Sequence, residues 1–292
     1  MDIHLNPDLG RGYKNPSQRV KAITEGWGRE NLYCAACDSD AVAQERPGKP
    51  VIDFTCGECS ERYQLKSRSY PFSGQVRDAA YEPMANAVIN GTAPNFLFLH
   101  YDPDEWRVEN LQLVPRFFMS LSALVKQKPL GPGARRSGHV LCNILLSQLP
   151  LDARIHVIRQ EQVENAGVVR AQWSRFTFLK EKKHEVRGWT ADVLAQVRDL
   201  GKATFTLREF YEVSEDKLSA LHPDNLHVRD KVRQQLQVLR DNGIVEFLGK
   251  GRYRQVRWCP ECGHDLVVDA LPRDGAGHKR LACPECGAWL WE

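Results

Sequence analysis

The chain has 292 residues, of which 42% are hydrophobic and 26% charged, and its formal net charge is +3. That length suits two or three domains, and that composition excludes collagen-like, coiled-coil and fully disordered chains. No run approaches eighteen apolar residues, and MDIHLNPDLG lacks the basic and apolar parts of a secretory leader, so no membrane partner and a cytoplasmic location are expected.

The first predicted element is a helix. Asn15-Pro16-Ser17-Gln18 supplies a capping residue, a Pro at the first helical position and a Gln at the third, and Val20, Ile23 and Trp27 follow at helical spacing. A cysteine-rich module covers about 33–68. Asp78–Asn90 reads as a helix interrupted by Pro83. Asn95–Tyr101 and Asn110–Pro115 read as buried strands, 127–139 as a Pro-, Gly- and Arg-rich loop, and Arg154–Arg159 as another strand. Together these make a mixed α/β domain over 1–180.

The pattern changes at 181. EKKHEVRG reads as a charged linker, and Thr190 as the cap of a helix carrying Val193, Leu194, Val197 and Leu200 and ending at Gly201. A short helix follows Phe205-Thr206-Leu207. A third, capped by Asn225, carries Val228, Val232, Leu236 and Leu239 and ends at Gly243. Ile244–Phe247 and Arg252–Trp258 then form a hairpin across Gly249-Lys250-Gly251. Three helices and a hairpin describe a winged helix over 181–258. The outer face of its third helix carries His227, Asp230, Arg233, Gln234, Gln237 and Asp241, and its wing Lys250, Arg252, Arg254 and Arg257. Arg and Gln suit base edges in the major groove, and wing cations suit phosphates, so double-stranded DNA is the expected partner. A protein-interaction winged helix is the alternative.

Eight of the nine cysteines form four Cys-x2-Cys pairs: Cys34/Cys37, Cys56/Cys59, Cys259/Cys262 and Cys283/Cys286. Eighteen residues separate the inner members of the first two pairs and twenty those of the last two. Both spacings fit four-thiolate zinc sites, so two structural Zn2+ ions are expected, the second in a ribbon over 259–292. Four thiolates leave no open position, so neither zinc is expected to be catalytic. The leftover Cys142 lies in an apolar run and is expected to be buried.

The first zinc module also carries a candidate for catalysis. Asp53 precedes the second knuckle, and Arg62–Lys66 follows it as a strand on which Gln64 and Lys66 share a face. An acid followed by Q-x-K is the arrangement of PD-(D/E)xK nucleases. Asp53 and Gln64 would hold a divalent cation, Mg2+, and Lys66 would orient or activate water. The zinc would pin the hairpin that carries them. An amide is a poorer ligand than a carboxylate, and a solvated hairpin is the bland alternative. Glu25 is a weaker candidate for a further acid.

These residues resemble the DpnI group of restriction endonucleases over roughly 1–256. The resemblance rests on Ser17-Gln18, Thr24-Glu25-Gly26-Trp27, the first cysteine quartet, and Asp53 with Gln64-Leu65-Lys66. It extends through Lys128-Pro129-Leu130, Ala134-Arg135-Arg136-Ser137-Gly138, Cys142-Asn143, Arg187-Gly188-Trp189-Thr190 and Arg233-Gln234-Gln235-Leu236-Gln237. It implies an α/β PD-(D/E)xK nuclease core with an embedded zinc site and a winged helix, both reading DNA methylated at N6 of adenine in GATC. It also implies magnesium-dependent double-strand cleavage; separately, a monomer in solution is expected. Arg135, Arg136, His139 and Trp189 join helix 3 as candidates for methyl reading.

Three departures stand out: Gln64 replaces a family Glu, His139 replaces an expected Trp, and the C-terminal ribbon lies beyond the resemblance. The ribbon either caps the fold or extends the DNA contact through Arg273, His278, Lys279 and Arg280. A methyl-DNA binding or regulatory protein with weakened or lost cleavage is the alternative function, motivated by Gln64.

Overall fold

The computed structural model describes residues 1–46, 52–133, 137–259, 266–268, 280–283 and 289–291. The chain divides into two units: Met1–Ser147 with Asp152–Lys180, and Gln148–Leu151 with Glu181–Glu292. No helix among the described residues is long and apolar enough to cross a membrane.

The first unit opens with helix α1 (Pro16–Asn31). The Asn15 Oδ1 accepts the amides of Ser17 and Gln18 at 2.9 and 3.3 Å, and Pro16 takes the first position, where no N–H is required. Ile23 and Trp27 face inward as the spacing predicts, at 0% and 2% exposure.

Strands β1 (Ala43–Gln44), β2 (Phe54–Thr55), β3 (Arg62–Arg68), β5 (Asn95–Asp102), β6 (Arg107–Val114), β9 (Ile155–Arg159) and β10 (Gln162–Val163) form one sheet in the order β1-β2-β3-β5-β6-β9-β10. Within this sheet the β3–β5 pair alone is parallel. Parallel neighbours need a crossover. It is built from β4 (Gln75–Ala80) and helix α2 (Tyr81–Ile89). A second sheet, β4-β8-β7, joins β4 to β7 (Leu124–Lys126) and β8 (Leu141–Leu145). Helix α3 (Ala166–Ser174) completes the main elements of this unit.

The segment expected as one interrupted helix over 78–90 is therefore a strand end followed by a helix. Pro83 falls in the first turn of α2, where a missing N–H costs no hydrogen bond, so it starts the helix rather than breaking it. Asp78 lies on β4.

The core of this unit is continuous β5. Residues 95–101 are all buried, which explains why Asn-Phe-Leu-Phe-Leu-His-Tyr shows little polar alternation. Glycine matters where α1 meets β2. A Cβ on Gly28 would stand 2.7 Å from the ring of Phe54, so only glycine lets α1 lie this close to the strand that follows Asp53. Phe54 is 0% exposed there, worth roughly 1.5–3 kcal/mol of apolar burial.

In the second unit, α4 (His184–Asp199) begins before Thr190. The stretch 184–188 expected as linker is helical, and Thr190 sits mid-helix, 1% exposed. Its Oγ1 lies 2.7 Å from the Val186 carbonyl and 2.8 Å from Gln235 Oε1. A mid-helix threonine can bond back in this way as well as cap, and here burial against Gln235 decides. Strand β11 (Thr204–Thr206) leads into α5 (Leu207–Leu221), whose N-terminus is a reciprocal capping box between Thr206 and Glu209. Helix α6 (Val228–Asp241) buries Val228, Val232, Leu236 and Leu239, the stripe read from the sequence. Its N-cap is His227, and Asn225 accepts the His227 amide at 2.8 Å. Strands β12 (Val245–Gly249) and β13 (Arg252–Gln255) form the expected hairpin, with β11 added in the order β11-β13-β12. Further on, β14 (Val267–Val268), β15 (Arg280–Ala282) and β16 (Trp289–Trp291) make a small antiparallel sheet.

Candidate active site and metal centre

The first cysteine quartet is assembled. The Sγ atoms of Cys34, Cys37, Cys56 and Cys59 lie within 4.8 Å of one another, with Cys34–Cys59 at 3.5 Å and Cys37–Cys56 at 3.6 Å. A tetrahedral zinc with Zn–S bonds of about 2.3 Å has sulfur–sulfur edges of about 3.8 Å, so four thiolates fit. The knuckles also supply the amides that such sulfurs accept. Ala36 donates to Cys34 Sγ at 3.4 Å. Burial raises the Cys56 thiol, but the amides of Cys59 and Glu58 outweigh it and bring the thiol down to about 7.

Two side chains tie this centre to the domain. Tyr63 on β3, 2% exposed, places its hydroxyl 3.2 Å from Cys34 Sγ and accepts the Ala35 amide at 3.2 Å. Arg170 on α3 donates to the Cys34 and Ser39 carbonyls at 3.2 and 3.1 Å.

Tyr63 points to the cysteine quartet, while the residues that follow it line a cleft of about 620 Å³. Asp53, Gln64 and Lys66 all border it, together with Glu25 and Lys21 from α1 and Arg68 and Arg77. Asp53 is held from β3. Its amide donates to the Tyr63 carbonyl at 2.9 Å, and its Oδ2 accepts the Leu65 amide at 2.8 Å. The hairpin that the Cys56–Cys59 turn closes thus fixes the acid against the Q-x-K strand.

Lys21 lies 3.1 Å from Glu25 and 3.6 Å from Asp53, so it bridges two carboxylates. Burial raises the Glu25 carboxyl above the ordinary range. Lys21 pulls it down and the nearby Asp53 carboxylate pushes it up again. Gln64 Oε1 is buried without a protein partner. Two crowded carboxylates and an orphaned amide oxygen are a hard-oxygen donor set of the kind divalent cations take. Lys66 makes an ion pair with Asp78 on β4, whose side chain is 0% exposed. Sequence reading missed Lys21 and Asp78. Lys21 was discernible as the i,i+4 partner of Glu25 on the same helix. Nothing in the local pattern marks Asp78, which arrives from the neighbouring sheet.

The remaining expected residues scatter. His139 is exposed beside β8, and its carbonyl accepts the Leu130 amide at 2.9 Å. Arg135 and Arg136 lie outside the described residues. Cys142 is 0% exposed, and burial pushes its thiol up to about 11.

In the second unit, His227 at the N-cap of α6 and Asp230, Arg233, Gln234 and Gln237 along it are exposed, as are Asp241 at its end and Lys250, Arg252 and Arg254 on the hairpin. Arg233 is ion-paired to Asp230 and Arg254 to Glu246. Trp189 differs. It is 5% exposed inside α4, stacked on His222 at 3.7 Å between ring centroids, so its ring belongs to the core rather than to a surface. Of the second quartet, Cys259 and Cys283 are buried, whereas Cys262 and Cys286 lie outside the described residues. Arg280 is on β15, and Arg273, His278 and Lys279 lie outside the described residues too.

A family model described as DpnI, the Dam-replacing family, matches residues 1–182. A second, described as DpnI_C, the Dam-replacing HTH domain, matches residues 185–255. With a four-cysteine centre and a cleft lined by charged residues of both signs inside the first match and the helix–hairpin unit inside the second, the chain belongs to the DpnI, Dam-replacing family.

Proposed function

We propose that this chain is a methylation-dependent restriction endonuclease that cuts double-stranded DNA at GATC-like sites carrying N6-methyladenine. The observation that carries the reading is the cleft itself, where Asp53, Gln64 and Lys66 meet on a hairpin closed by a four-cysteine centre. In this reading residues 1–180 are a PD-(D/E)xK nuclease domain, 181–258 a winged helix and 259–292 a zinc ribbon. Cys34, Cys37, Cys56 and Cys59 hold one structural zinc, and Cys259, Cys262, Cys283 and Cys286 a second.

Asp53 and Gln64, with Glu25 beside them, would hold Mg2+. When bound, such a cation polarises a phosphate oxygen and lowers the pKa of water. Lys66 orients the attacking water and offsets charge growing on the phosphate. The zinc keeps the hairpin rigid, so that Asp53 and Lys66 stay in register. Arg68 and Arg77 on the cleft wall suit the DNA backbone, and the polar face of α6 suits the major groove. The loop bearing Arg135, Arg136 and His139 is the catalytic unit's candidate for sensing the methyl group.

Gln64 favours a second reading, a methyl-DNA binding protein without cleavage, because a neutral amide is a weaker ligand than the family's carboxylate. One experiment separates the two. Duplexes containing GATC, methylated or unmethylated at adenine N6, are incubated with the protein and Mg2+. Cleavage confined to methylated duplex is the expected result. Tight methylated-DNA binding without cleavage establishes the second reading, and equal cutting of both duplexes overturns the methyl dependence.

A further inference from the structure

Asp78 is not adjacent to the catalytic hairpin in sequence, and it reaches Lys66 through a local irregularity. In the β4–β8 ladder, Arg77 pairs with Asn143 and Ala80 with Leu141. Two residues, Asp78 and Ala79, therefore stand opposite Cys142 alone. Such a bulge re-aims a side chain out of the regular alternation. Here the Asp78 carboxylate leaves its own sheet and pairs with Lys66 on β3 of the other.

The pairing is buried on the acid's side. The Asp78 side chain is 0% exposed and that of Lys66 is 19% exposed. The second carboxylate oxygen, Oδ2, is enclosed without a protein partner. A fully desolvated carboxylate with one oxygen unused is costly, and a purely structural ion pair gains little over apolar packing. A lysine whose Nζ must sit at one point of a cleft gains from it. Its four-carbon stem is otherwise free, and a fixed charge partner selects one rotamer.

We propose that Asp78 is a positioning residue, which fixes the Lys66 ammonium at the wall of the cleft and acts on the reaction only through it. The inference rests on the assignment of Lys66 in the preceding section. The same β4-β8-β7 sheet carries the connection 127–140 between β7 and β8. Asp78 thus links the sheet bearing the candidate methyl-sensing loop to the strand that carries Lys66.

The test uses the full-length protein with Mg2+ and methylated duplex. Single-turnover cleavage at saturating protein is measured for Asp78→Asn, Lys66→Gln and the double variant, and duplex affinity is measured with Ca2+ in place of Mg2+. Asparagine keeps the shape and one acceptor, and each variant's melting curve verifies that it is folded.

Asp78→Asn is expected to slow cleavage roughly 10- to 100-fold with affinity changed less than about twofold. The double variant is expected to be no slower than Lys66→Gln alone, because Asp78 has nothing to position once the ammonium is gone. A wild-type rate for Asp78→Asn beside a crippled Lys66→Gln overturns the proposal and leaves the catalytic site standing. Losses that multiply in the double variant also overturn it. A wild-type rate for Lys66→Gln overturns the catalytic assignment itself. Should Asp78→Asn fail to fold, Asp78→Ser decides by the same rate and epistasis criteria.

Discussion

Tyr63→Phe isolates the link between the four-cysteine centre and strand β3, which bears Gln64 and Lys66. The hydroxyl accepts the Ala35 amide at 3.2 Å and touches Cys34 Sγ at 3.2 Å, and both Tyr63 and Ala35 are buried, at 2% and 3% exposure. Phenylalanine keeps the ring packing and opens almost no cavity, so the loss is polar. An orphaned buried N–H costs about 1–3 kcal/mol. Taking about 2 kcal/mol, and about 2–4 °C per kcal/mol for a domain of this size, the melting transition of the zinc-loaded protein falls by about 4–8 °C. Zinc transfer to a chromogenic chelator accelerates, because a thiolate loses a donor. Cleavage falls too, since Gln64 is the next residue on the strand. The assay pairs thermal unfolding with chelator kinetics at fixed zinc. A variant that melts within about a degree of the parent and releases zinc at the parental rate refutes the idea that this hydroxyl couples the centre to the strand.

Elemental analysis of purified protein should find two zinc atoms per chain, and a folded protein with one would remove the C-terminal site. Gln64→Glu places a carboxylate where an orphaned amide oxygen now lies, so cleavage should be equal or faster, most visibly at low Mg2+; an inactive, folded variant would contradict the ligand role. His156 has its imidazole pKa lowered to about 4 by burial, with Arg159 and Arg154 adding to the effect. The unfolded chain protonates this residue below about 6.5 while the folded one does not, so stability falls as pH drops from about 6.5 to about 4. Denaturant titrations across that range should show a shallower fall for His156→Asn, and an unchanged slope would exclude the residue.

Much of the molecule was legible from local pattern because the relevant physics is local. Cys-x2-Cys spacing, the Asn15-Pro16 cap and the apolar stripe of α6 each depend on residues a few positions apart. So does the Asp53 to Lys66 hairpin, whose knuckle leaves the chain little choice of register. Other features depend on what lies across the fold. Thr190 reads as a cap and Trp189 as a methyl-reading candidate, yet both are buried mid-helix, because Gln235 on α6 and His222 at the end of α5 pack against them. Pro83 reads as a breaker until the helix is known to start at Tyr81. The lysine of the Q-x-K strand is visible in the sequence, but its partner is not. Asp78 meets Lys66 because a parallel β3–β5 pair forces a crossover, and the crossover's own strand bulges to turn one carboxylate toward the first sheet. Spacing along the chain sets which residues can share a hairpin, whereas which carboxylate enters a neighbouring sheet's cleft depends on a bulge and a crossover that only the packed structure defines.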